Sequence, residues 1–145
     1  MSNTGVAIFS LDNKKPIVIT SVKSNPKNTY GKRLHTIRQY LKELIGQYPP
    51  YEVAIEQGFS RFNTSTQVTY RVHGVVNELL KDYPQIYYPP KTVKKIITGN
   101  GNADKKLVQG SILKRYPNIN FSNDDESDAC GVAIVHLIKK YKMGW

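Results

Sequence analysis

The apolar residues of this chain switch period repeatedly, from alternate positions to every third or fourth and back, and that alternation most narrows what it can fold into. The segments from Val6 to Ser10 (VAIFS) and from Pro16 to Val22 (PIVITSV) are rich in β-branched residues. They flank the turn-like Leu11-Asp-Asn-Lys-Lys15, so they predict a β-hairpin with Asp12 in its turn. From Tyr30 onward Leu34, Ile37, Leu41, Leu44 and Ile45 recur at helical spacing up to Gly46 and the Pro49-Pro50 break, which predicts an amphipathic helix with a basic outer face. Tyr51 to Gln57 (YEVAIEQ) reads as a short apolar strand that finishes on a carboxylate. Asn63-Thr-Ser65 then offers caps for a helix through Leu80, with Val68, Val72, Val75, Val76 and Leu79 on one stripe. A brief strand from Ile86 to Tyr88 follows, and Pro89-Pro90 opens a short basic helix that Gly99-Asn-Gly101 closes. Two more helices are predicted, from about Ala103 to Tyr116 and from about Asp125 to Tyr141. The last carries Ala129, Val132, Ala133 and Ile134 to Leu137, apolar enough to be largely buried. Strands first, then helices alternating with short strands, predict an α/β layered domain with a mixed sheet.

A length of 145 residues fits one domain, 1–145, with a core of its own. The single cysteine, Cys130, excludes an internal disulfide framework and a multi-cysteine metal site, as a reducing compartment favours. No apolar run approaches the roughly 18 residues of a membrane span, and the first residues lack a charged-then-apolar signal pattern, so the expectation is a cytoplasmic protein with no membrane partner. A net charge of +10 attracts polyanions, and counterion release makes nucleic acid the most favourable of them.

Against that positive background a few carboxylates stand out. Glu56 ends an apolar strand, where α/β sheets present functional groups, although such a residue is also commonly solvated or paired with a lysine. Asp125 and Asp128 lie three residues apart at the start of a helix, which puts both on one side, with Asp124 and Glu126 adding acidity. Acidic residues there also cap free amides and oppose the macrodipole. Asp128 lies further in, beside small apolar residues, where an unpaired carboxylate is costly and a divalent metal would relieve it. Strand-end and helix-start carboxylates can together hold Mg²⁺ or Mn²⁺, and two such ions about 4 Å apart serve phosphodiester hydrolysis.

The tract from Lys91 to Lys106 combines Lys91, Lys94, Lys95, Lys105 and Lys106 with Gly99, Asn100 and Gly101, and its turn and the next helix N-terminus can take phosphate; the alternative is a solvated lysine face. Phe59 and Phe62, in the segment that also holds Arg61, can stack on an unpaired base or fold back onto the core. His35, His73 and His136 are isolated and make no zinc pattern, and Cys130 has no companion base.

Val53-Ala-Ile-Glu-Gln-Gly-Phe59, then Pro90-Lys-Thr-Val-Lys-Lys-Ile-Ile-Thr-Gly-Asn-Gly-Asn-Ala-Asp-Lys105, then Asp125-Glu-Ser-Asp-Ala129 before an apolar helix, resemble in order and separation the signatures of RuvC-type Holliday junction resolvases. The resemblance implies an RNase H-like fold, a mixed central β-sheet flanked by α-helices, and a homodimer that nicks opposing strands of a four-way junction with two Mg²⁺ (or Mn²⁺) ions. It implies Glu56, Asp125 and Asp128 as metal ligands, Lys105 near the scissile phosphate, Lys94 as a further DNA contact and Phe59 as the aromatic stacked where the junction opens. Arg61, Lys91, Lys95 and Lys106 would join them on the DNA, and the helix from Val68 to Leu79 would lie in the dimer region.

The departure is at the front. The family opens with an apolar run and an Asp-Pro-Gly or Asp-Pro-Ser turn before a Ser-x-x-Thr-Gly segment, whereas this chain opens with Ser2-Asn-Thr-Gly5, so the matching Asp falls before residue 1. Asp12, in the hairpin turn, is no replacement. The expectation is weak metal binding and cleavage by the chain as it stands, with DNA binding retained through the lysines. Three readings follow: a structure-selective DNA endonuclease, a branched-DNA-binding protein without nuclease activity, and an RNase H-like enzyme acting on RNA:DNA hybrids.

Overall fold

The computed structural model describes residues 3–58 and 64–145. Phe59, Arg61, Phe62 and Asn63 lie outside them, as do the cap side chains expected of Thr64 and Ser65. In order, the elements are β1 (Asn3–Phe9), β2 (Pro16–Lys23), α1 (Tyr30–Gln47), β3 (Val53–Glu56), α2 (Thr64–Leu79), β4 (Gln85–Tyr88), α3 (Pro90–Thr98), α4 (Lys105–Arg115) and α5 (Asp124–Tyr141).

The two ends of the sequence-predicted sheet behave differently. Strands β1 and β2 form the expected hairpin, closed where Ser10 N–H donates to Lys15 O at 2.9 Å and Lys14 N–H donates to Ser10 O at 3.0 Å. Lys14 takes the left-handed conformation that so tight a turn requires (φ 59°), and β1 begins at Asn3 rather than at Val6. Strand β3 is shorter than the expected Tyr51 to Gln57, because its ladder with β4 starts at Val53 N–H to Pro84 O (2.9 Å) and ends at Gln57 N–H to Tyr88 O (2.9 Å). Both bonds advance in the same direction, so this pair is parallel and α2 is its crossover. Antiparallel and parallel pairing are thus both present, as two ladders, β1–β2 and β3–β4, among the described residues.

The chain divides into two compact units. One comprises Val22–Val53 and the described part of Gly58–Ile86, with the first residues of β1. In it α1 packs on α2, burying Ile37 and Leu41 from one helix and Val68 and Val72 from the other at the predicted spacing. The basic outer face expected of α1 needs one correction: Arg33 is buried, and its Nε donates to Ser24 Oγ at 3.1 Å, which gives the guanidinium a partner inside.

The second unit comprises Gly5–Ser21, Ala54–Gln57 and Tyr87–Trp145. Helices α3, α4 and α5 pack together around Val93, Ile97, Ile112, Cys130, Ile134 and Val135, the last three and Ile112 being almost wholly enclosed. Gly99 ends α3 in the left-handed conformation (φ 84°), as the Gly-Asn-Gly turn predicts. Asn123 caps α5 by accepting from Glu126 N–H, so the helix starts at Asp124, one residue before the expected start. No described helix is long and apolar enough to cross a membrane.

Candidate functional site

All the candidate carboxylates and the two lysines implied beside them belong to the second unit. Strand β3 delivers Glu56 at its last position, α3 delivers Lys94, α4 delivers Lys105 at its first, and the opening turn of α5 delivers Asp125 and Asp128. Their electrostatics interlock. Glu56 keeps part of its surface open, yet enough protein surrounds its carboxyl that burial, then Asp128 and to a lesser degree Asp125, pushes its pKa up from 4.5 to about 7 against the opposing pull of Lys105 and Lys94. Although one face of the side chain is open, the two neighbouring carboxylates act in the same direction as burial. Asp125 is held above its ordinary value by burial and by Asp128.

Asp128 corrects one expectation. It is not an unpaired carboxylate, since Lys105 Nζ donates to Oδ2 at 2.9 Å and to Oδ1 at 3.2 Å, and it is about one-third exposed. The lysine meets the electrostatic cost that a metal was expected to relieve. Burial works against the Lys105 ammonium, but the hydrogen bond and charge of Asp128 outweigh it and hold its pKa above the usual lysine value. The N-terminus of α4, where phosphate was expected, also carries a carboxylate. Asp104 caps that helix by accepting from Leu107 N–H at 2.8 Å, so a carboxylate already occupies the positive end of the dipole. Lys91, Lys95 and Lys106 are exposed, free of the carboxylate cluster and open to solvent.

Does this set suit a divalent cation? Its chemistry fits. Glu56, Asp125 and Asp128 are hard oxygen donors, and Asp128 raises the proton affinity of both Glu56 and Asp125, a repulsion that a bound cation would remove. Yet among the described residues no three His, Cys, Asp or Glu side chains stand together as a finished cage. Cys130 is buried and its thiol pushed up to about 12, and His136 is buried with its Nδ1 2.7 Å from Tyr88 Oη.

Sequence reasoning missed the residues that hold the carboxylate-bearing turn. Glu126 is only 4% exposed, and its carboxylate accepts from Ser21 Oγ at 2.7 Å and from Ser122 N–H at 3.0 Å. Gln109, one turn after Lys105 on α4, donates from Nε2 to Asp124 Oδ1 (3.1 Å) and to Ser127 Oγ (2.9 Å). The backbone of Gly5 lies against the Asp125 carbonyl so closely that any Cβ there would overlap it. The spacing Asn123-x-x-Glu126 is the reciprocal capping pattern and was the one available signal for Glu126.

Comparison with known proteins places the chain in a family. Residues 1–136 match the family model of crossover junction endodeoxyribonuclease RuvC. The RuvC of Wolbachia sp. subsp. Brugia malayi is 35% identical, the match covering 97% of this chain and 90% of that protein. That of Brachyspira hyodysenteriae is 32% identical over 91% of this chain and 85% of its own length. Among solved structures, Thermus thermophilus RuvC superposes with a TM-score of 0.79 at 22% identity, and T. thermophilus RuvC in complex with Holliday junction substrate with 0.83 at 17%. Each covers 97% of this chain and 89% of the solved one, and at these identities the likeness speaks for the RNase H-like α/β fold. On the family match and the identity of its relatives, the chain belongs to the RuvC family of crossover junction endodeoxyribonucleases.

Proposed function

We propose that the chain is a structure-selective endonuclease that hydrolyses phosphodiester bonds of branched DNA, four-way junctions in particular, using Mg²⁺ or Mn²⁺ held by Glu56, Asp125 and Asp128. The observation that carries this reading is that Glu56, Asp125, Asp128, Lys105 and Lys94 lie in one unit, near enough for Asp128, Asp125 and both lysines to shift the Glu56 carboxyl, in a chain whose net charge is +10. Bound there, divalent ions, two in a complete site, would supply Lewis acidity and a water acidic enough to attack at neutral pH. The protein's own groups do the rest. Lys105 hands its hydrogen bonds from Asp128 to a phosphate oxygen when DNA arrives, and Lys94 offsets negative charge beside Glu56. Lys91, Lys95 and Lys106 bind flanking phosphates, and Phe59 and Arg61 engage the DNA where its strands part. We read 1–145 as one nuclease domain that works in the cytoplasm as a homodimer, with α2 in the dimer region, so that two sites meet the two strands of a junction.

A second reading has its own support. Lys105 already pairs with Asp128 at 2.9 Å, which favours a junction-binding protein that does not cut. Side-by-side reactions with a four-way junction, a linear duplex and an RNA:DNA hybrid, each followed by mobility shift and by product, separate the readings. Junction binding with junction products supports the endonuclease, binding without products supports the second reading, and hybrid cleavage at the junction's expense overturns both.

A further inference from the structure

Glu126 is the buried charged group for which the proposed chemistry has no use. It sits between Asp125 and Asp128 in sequence but turns away from them, into the protein. Its partners form a closed set. Ser21 Oγ, on β2, donates to Glu126 Oε2 at 2.7 Å and accepts from Asn123 Nδ2 at 2.9 Å. Asn123 Oδ1 accepts from Glu126 N–H at 3.0 Å, and Glu126 Oε1 accepts from Ser122 N–H at 3.0 Å. Every polar atom in this ring has a partner, and the ring ties the first turn of α5 to a strand rather than only to its own cap. Helical geometry does the rest. In a turn of 3.6 residues, fixing the side chain of position 126 inward fixes the outward direction of positions 125 and 128. Gly5 presses on the Asp125 carbonyl from β1, so the same turn has no room to rotate toward that strand.

We propose that Glu126 is a positioning residue, which, through Ser21 and Asn123, aims Asp125 and Asp128 at the cation they hold. The inference rests on the reading of those two aspartates as metal ligands. Glu126 itself touches neither metal nor DNA.

The test is Mn²⁺ binding by the full chain, followed by the loss of the free-ion electron paramagnetic resonance signal at a temperature where every variant is folded by circular dichroism. Glu126→Ala and Ser21→Ala are expected to weaken Mn²⁺ binding by about tenfold or more, the range typical of groups that orient a metal's ligands. Glu126→Gln is expected to stay within about threefold of the parent, because an amide can still accept from Ser122 N–H and meet Ser21 Oγ. That rescue separates aiming from charge, since Gln removes the charge as fully as Ala does. Parent-like Mn²⁺ binding by Glu126→Ala, whatever its thermal stability, overturns the inference and leaves a helix cap only. Glu126→Gln as weak as Glu126→Ala also overturns it, in favour of a charge or ligand effect. Asp128→Asn is the control for the underlying reading. If it binds Mn²⁺ like the parent, or the parent binds none, the metal-site reading falls and the inference with it; if Asp128→Asn loses binding and Glu126→Ala does not, the inference alone falls.

Discussion

Glu56 carries the clearest consequence at the scale of one residue. The folded chain binds its proton more tightly than the unfolded chain does, with a pKa near 7 against 4.5. Its charge is therefore an expense of the native state that is absent below about pH 4.5, grows as pH rises, and is complete above about pH 7. Glu56→Gln should consequently stabilise the protein at about pH 8, by about 1 kcal/mol or a few degrees in Tm once the open face of the side chain is discounted for solvent screening. Thermal melts at about pH 8 and about pH 4 check this, and a variant that melts lower than the parent at the higher pH contradicts it. Much of this residue-level account was legible beforehand. Strand-end Glu56 and the Asp125/Asp128 spacing stood out because strand and helix periods alone locate them. The partner of Asp128 did not, because a lysine 23 residues away is brought to it by helix packing that no local pattern encodes. Glu126 was grouped with its acidic neighbours for a similar reason: acids at a helix start usually face water, and only the approach of Ser21 from β2 encloses this one.

Elements were legible to the extent that their ends are set locally. Pro90 and Gly99 bound α3 where expected, since proline suits a first helical turn and glycine accepts the left-handed stop. Strand β3 came out shorter because a strand ends where its neighbour's hydrogen bonds end, and that neighbour, β4, is some thirty residues on. The same is true of the packing of β1 on α5. Nothing in Asn-Thr-Gly announces that Gly5 must lack a side chain, yet the Asp125 carbonyl leaves no space for one. Gly5→Ala should push the first turn of α5 outward and cost about 1–3 kcal/mol, the usual range for overpacking. Chemical denaturation reads the loss, and a stability equal to the parent's would mean that β1 and α5 are not locked at this point. In the same variant the Asp125 and Asp128 carboxylates move with the turn, so Mn²⁺ binding should weaken along with stability.

For the whole molecule, the surplus of positive charge decides how DNA is met before any chemistry occurs. Lys91, Lys95 and Lys106 are exposed, so on the proposed reading they act on phosphates without specifying which DNA is cut. Changing all three to Ala should lower the slope of log affinity against log salt by about 3, roughly one for each lost phosphate contact, and weaken junction and duplex binding alike. An unchanged slope would remove these lysines from the interface. The charge was plain in the sequence, as was the family resemblance that gave it a target and set Lys105 apart from the other lysines; the structure adds that Lys105 bonds the Asp128 carboxylate, whereas among the described residues no such bond is made by Lys91, Lys95 or Lys106. The central claim is that Glu56, Asp125 and Asp128 form the metal centre of a junction-directed nuclease. Its most direct test is cleavage of an end-labelled four-way junction and of the matching linear duplex by the parent chain, Glu56→Gln and Asp128→Asn, with Mg²⁺, with Mn²⁺ and with chelator. The account predicts metal-dependent nicks in the junction only, lost in both variants while their mobility shifts persist; junction cleavage that survives either substitution, or that proceeds in chelator, would contradict it.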